Sequence, residues 1–241
     1  MTGGMEVADP ALGLLVLVVI AASFVLSAAA GLGGSLLLVP VLAAVLGVKE
    51  GVALAGLLLA ANNVVKIVAY RTTIPYGRAA PVVVVSAIGA LFGARLLVAL
   101  PEALVAASVV FSLAWTFLME RRRRLLDAAP PVLGFLAGCL SGFSGTSGPL
   151  KGVALRSLGL DRMHLVGAAS LTSLVGDATK SAVFADAGLL GTEAVVLAVG
   201  SIPMMLLGTF IGRRWNGSMG EAGYAALFWI VMTCYGLRVL I

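Results

Sequence analysis

Two lysines stand deep in apolar sequence, Lys66 and Lys180, and each has a polar residue three positions earlier, Asn63 and Asp177. Three residues on a helix is about one turn, so each pair shares a face, and Asn62 adds a second amide beside the first pair. In an apolar medium such charges have two readings. Either the lysines attract an anion and assist its release, with Asp177 tuning Lys180 or carrying a coupling proton, or they lie near helix ends and snorkel toward polar headgroups. A charge at the centre of a bilayer costs at least ~2.5 kcal/mol, which makes these residues candidates for function.

A second kind of chemistry is written in glycine. Gly31-Leu-Gly33-Gly34 followed by Ser35, and Gly142-Phe-Ser-Gly145-Thr146-Ser147-Gly148, interrupt long apolar runs. A helix broken there exposes unpaired backbone N–H groups at the start of its second piece, and those donors together with the helix dipole favour an anion. The second pieces begin near Ser35 and Pro149. Thr146 or Ser147 suits the cap position, and proline suits the first helical position because it lacks the donor that would be orphaned there. Lys151 sits just inside the second piece, whereas its counterpart in the first, Leu37, is apolar, so any role for this cation is asymmetric.

Gly142-Phe-Ser144-Gly145 also matches the Gly-x-Ser-Gly signature of intramembrane serine proteases, and the chain has one histidine, His164. The spacing opposes that chemistry. His164 lies in a basic loop twenty residues after Ser144, and no second intramembrane aspartate accompanies Asp177 to form an aspartyl dyad. The glycine pairs Gly89/Gly93 and Gly208/Gly212 have the small-xxx-small spacing that draws helices together. Arg95 and Arg214 follow them as interfacial anchors. Cys139 and Cys234 lack metal or redox spacing and read as packing residues.

These residues are embedded in a chain of 241 residues that is 61% hydrophobic and only 11% charged, against about 25% charged in a soluble domain. The apolar excess must face lipid, which excludes a soluble enzyme, a disordered scaffold and a disulfide-stapled secreted domain. The net charge of +5 is dispersed over loops and helix ends, apart from the run at 121–124, and forms no basic face for nucleic acid. MTGGMEVADP lacks the basic start of a cleaved signal peptide, so the first apolar segment is expected to be retained.

Eight apolar blocks follow: 11–48, 51–70, 78–100, 102–119, 131–160, 165–185, 191–212 and 221–241. The first and fifth exceed one spanning helix, so each is read as broken at its glycines, either re-entrant or discontinuous. Placing the arginines of 71–78 and 121–124 inside puts the N-terminus, with Glu6 and Asp9, outside. The two halves align at an offset of about 114 residues. Gly31 and Gly34 fall on Gly145 and Gly148, Asn63 and Lys66 on Asp177 and Lys180, Tyr70 on Phe184 and, with a few residues inserted, Gly89 and Gly93 on Gly208 and Gly212. One half starts outside and the other inside. The fold expected is therefore an all-α, polytopic integral membrane protein of two inverted-topology repeats, 1–124 with a basic cytoplasmic linker at its end and 125–241, each with a glycine-broken first block.

The segments Ala30-Gly-Leu-Gly-Gly-Ser-Leu-Leu-Leu-Val-Pro40 and Ser141-Gly-Phe-Ser-Gly-Thr-Ser-Gly-Pro-Leu150, with the glycines ending the third helix of each half, resemble the sulfite exporter TauE/SafE family of membrane permeases over nearly the whole chain. Ser35, where a third glycine is frequent, and Lys151, where apolar residues are usual, depart from that pattern. The resemblance implies an all-helical permease exporting sulfite or related sulfur oxyanions and organosulfonates across the bacterial or archaeal cytoplasmic membrane.

The expectation is a secondary transporter, not an enzyme and without a cofactor, working by alternating access. Its substrate cradle would draw on Gly31, Gly33, Gly34, Ser35, Gly145, Thr146, Ser147 and Gly148, lined or coupled by Asn62, Asn63, Lys66, Asp177 and Lys180. Its partners are a small anion and membrane lipid, not nucleic acid, with room for a coupling ion (proton or sodium) and for a homo-oligomer. No G-x-x-x-x-G-K-[ST] loop supplies ATP. The alternatives are a passive anion channel of the same fold and, more remotely, a protease using Ser144.

Overall fold

The computed structural model describes residues 10–30, 34–121, 130–146 and 148–215. Among them every regular element is helical. In chain order these are α1 Pro10–Ala30, α2 Gly34–Leu46, α3 Val48–Tyr70, α4 Tyr76–Ala99, α5 Glu102–Arg121, α6 Pro130–Ser144, α7 Gly148–Arg156, α8 Arg162–Asp186, α9 Thr192–Gly200 and α10 Ile202–Trp215, with a 3-10 turn at Arg71–Thr73. The expected block at 221–241, Cys234, the acidic N-terminus and the arginines after Arg121 lie outside the described residues.

The segment Val48–Thr73 and α4 are each long and apolar enough to cross a bilayer, and α9 with α10 makes a third candidate bent by 43°. The sequence alone reads 191–212 as one block. Its bend has a local cause, because Pro203 has no N–H for the carbonyl four residues back and its ring crowds that turn, while Gly200 and Ser201 tolerate the change of direction. Ser201 ends α9 and its hydroxyl donates to the Leu197 carbonyl at 2.7 Å.

Polarity is distributed inside out. Along α4, Val84, Ile88, Phe92 and Leu96 recur every fourth residue and are 44–58% exposed, whereas Lys66 and Lys180 are among the largest fully buried side chains. Water would reject that surface and lipid accepts it, so the chain is a membrane protein.

Glycine sets how closely the helices approach. α4 packs most extensively on α6. A Cβ at Gly89 would strike the Phe135 carbonyl, one at Gly93 the Cys139 carbonyl, and one at Gly138 the Ser86 carbonyl, so both faces of this contact are backbone against backbone. α1 packs on α10 in a similar way, with Gly208 against Phe24 and Val25. This is the use expected of the small-xxx-small pairs. α3 packs on α8, and this contact carries the charged residues. Arg95 and Arg214 are exposed, as anchors would be. Cys139 is only half-buried against Gly89 and Gly93.

Candidate functional site

Where α3 packs on α8, Asn63 of α3 meets Asp177 of α8, and Asn62 and Lys66 of α3 and Lys180 of α8 are buried beside them in sequence. The Asn63 amide Nδ2 donates to Asp177 Oδ2 at 2.9 Å. Lys180 Nζ approaches Asp177 Oδ1 at 2.7 Å, one helical turn away. Asp177 therefore spends one oxygen on each partner, and its charge is balanced within the fold. Burial of such a pair is tolerable only because both members are hydrogen-bonded.

The lysines do not snorkel. Lys66 is 1% exposed and Lys180 fully enclosed. Lys66 Nζ donates to Ser27 Oγ of α1 at 3.3 Å, and Lys180 Nζ donates to Ser141 Oγ of α6 at 3.2 Å. Each lysine thus reaches a serine 39 positions earlier, and Ser27 and Ser141 are themselves related by the offset that relates the lysines. Sequence reading missed both serines. The signal was available, since aligning the halves already superposes them, but a serine in an apolar helix gives no indication of its partner until the helices are packed.

The glycine segments are placed in part. Gly31, Gly33 and Ser147 lie outside the described residues. Gly34 begins α2 against Ser27 and Ser23, where a Cβ would come within 2.9 Å of the Ser27 Cβ. Ser35 is half-buried, and Gly148 begins α7. Gly145 has φ +76° and is wedged between Val39 of α2 and Val52 of α3, so this position needs a residue without a side chain on conformational and on packing grounds. The Thr146 hydroxyl meets Ser112 of α5 at 2.8 Å and Ser144 at 3.3 Å, and so is tied to α5 rather than to the lysines. Asn62 is fully buried, yet neither atom of its amide has a partner among the described residues.

Lys151, on α7, donates to Ser173 Oγ of α8 at 2.6 Å. The two residues line a small cavity of about 10 Å³, room for roughly one water. Ser86, Ser141, Thr172 and Asp177 complete its polar wall. Ser144, the serine of the protease motif, donates to the Leu140 carbonyl at 2.9 Å. His164 lies in the first turn of α8 with its Nδ1 at 2.6 Å from Asp161 and its side chain 45% exposed.

A family model described as "Sulfite exporter TauE/SafE" matches residues 15–239, almost the whole chain. The chain belongs to the sulfite exporter TauE/SafE family. Membership agrees with the inside-out polarity and makes this TauE/SafE chain a membrane protein of a transporter family. No curated protein and no solved structure matches it.

Proposed function

We propose that this TauE/SafE protein is a secondary transporter that moves a small sulfur oxyanion, sulfite or an organosulfonate, across the cytoplasmic membrane by alternating access between two inverted repeats, 1–124 and 125–241. The observation that carries the reading is the matched pair of buried lysine–serine contacts, Lys66 with Ser27 and Lys180 with Ser141, flanking Asn63 and Asp177 where α3 meets α8. Residues equivalent under a two-fold axis touch one another only near that axis, and Asn63 and Asp177 do so. The packing of α1 on α10 and of α6 on α4 is the same contact exchanged between halves. A duplicated, charge-bearing interface of this kind is where carriers built from inverted repeats hold their substrate.

Lys66, Lys151 and Lys180 outnumber Asp177 in the described interior, so the buried charge is positive and an anion is the ligand that lowers its electrostatic energy. The glycine-broken starts of α2 and α7 belong to this reading as hinges and as sources of backbone donors, and the N-terminus is placed outside. Counterflow of sulfur-35-labelled sulfite in proteoliposomes tests it. Saturable uptake driven by unlabelled sulfite on the far side supports a carrier. Unsaturated flux that follows voltage supports a channel and rejects alternating access.

A further inference from the structure

The two halves are not equivalent where the cavity lies. On one side of the α3–α8 contact, α7, α8 and α6 contribute Lys151, Thr172, Ser173, Gly176 and Gly138 to the small cavity of about 10 Å³. The positions that the 114-residue offset puts opposite them are Leu37, Leu58, Leu59, Asn62 and Phe24. All five are buried, and Phe24, Leu58 and Leu59 are part of the main apolar core. The first half places three leucines, a phenylalanine and an amide where the second half has a cation, two hydroxyls and two glycines.

We infer that the protein holds a single oxyanion headgroup, in the second half alone, with the Lys151 ammonium as its counter-charge and the Ser173 and Ser141 hydroxyls as its donors. This rests on the transport reading above, since a cavity of about 10 Å³ admits a headgroup only once the helices around it part, and deepens it by placing the site and making it asymmetric. Hydrogen-bond direction selects these donors. Thr172 and Ser86 commit their hydroxyl protons to the carbonyls of Ala168 and Gly134, both at 2.8 Å. Ser173 and Ser141 instead accept from Lys151 and Lys180, and their own protons have no acceptor among the described residues. Lys151 has two further N–H groups beyond the one given to Ser173.

Asp177 on the same wall does not repel the anion strongly, because Lys180 at 2.7 Å neutralises it. Lys151 shares this wall with Asp177 but makes no close ion pair of its own among the described residues, so Lys151, Asp177 and Lys180 together carry one net positive charge, the complement of a sulfonate or hydrogen sulfite headgroup. Gly176 provides the room. A Cβ there would meet only the Ala90 Cβ, at 3.9 Å, whereas its counterpart Asn62 fills the equivalent place.

Labelled-sulfite counterflow and equilibrium binding on the purified full chain, with methanesulfonate as competitor, test the site. Lys151→Gln is expected to raise the KM about ten- to a hundredfold, the loss of a charge-assisted hydrogen bond, and Lys151→Arg to restore most of it. Gly176→Leu, whose side chain is larger than the cavity, is expected to abolish binding, and Gly176→Ala, whose methyl makes only an ordinary contact with the Ala90 Cβ at 3.9 Å, is expected to raise the KM with the thermal midpoint kept. Wild-type KM in both Lys151→Gln and Gly176→Leu overturns the site, and two sulfite ions bound per chain at saturation overturn its asymmetry. Absence of counterflow in the wild type overturns the transport reading itself.

Discussion

Asn63 and Asp177 lie 114 positions apart and hydrogen-bond each other at 2.9 Å, although a duplicated sequence would give them the same place in its two copies. One position carries an amide and the other a carboxylate, so one donates where the other accepts. Two identical aspartates here would repel, and two asparagines would leave Lys180 without a counter-ion.

That relationship predicts a large effect of a small change. Asp177→Asn keeps the shape but leaves Lys180 charged, buried and unpaired, which costs about 3–5 kcal/mol. The thermal midpoint in detergent should fall sharply. Adding Lys180→Met should recover most of the loss, and a double variant as unstable as the single one would disprove the pairing.

Ser27→Ala and Ser141→Ala each remove the hydroxyl that solvates a buried ammonium, and each should destabilise by about 1.5–3 kcal/mol. Similar losses are expected from the two, since the geometries match. A neutral Ser27→Ala alongside a costly Ser141→Ala would break the equivalence of the halves.

Lys151→Met separates stability from transport. It replaces a charge whose hydrogen-bond partner among the described residues is a hydroxyl with an apolar chain of similar length, so the thermal midpoint should rise while sulfite counterflow is lost. A variant that is both destabilised and fully active would refute the assignment.

The glycines divide by what surrounds them. Gly138→Ala drives a methyl into the Ser86 carbonyl and should cost about 1–3 kcal/mol by forcing α6 away from α4. Gly176→Ala makes only an ordinary contact with the Ala90 Cβ at 3.9 Å and should gain up to about 1 kcal/mol from helix propensity alone. Differential scanning fluorimetry of the two purified variants measures the contrast.

Much of this was legible in the chain. The scarcity of charge dictated lipid, because 11% ionisable residues cannot cover a water-facing surface. The internal offset singled out Lys66, Lys180, Asn63 and Asp177, and the glycine spacings marked close helix contacts. The 43° bend between α9 and α10 is not legible from hydropathy, which does not register a missing N–H.

What the sequence could not decide was which of two physically sound options the lysines took. Snorkelling and burial have the same local pattern, and only the packing of α1 and α6 against them, which brings Ser27 and Ser141 within hydrogen-bond range, makes burial affordable. The cavity is likewise a tertiary property. Leu37 and Lys151 announce an asymmetry in the sequence, but whether the difference leaves a void, a plug or a charged pocket depends on the volumes contributed by three helices at once, and those are set only when the helices meet.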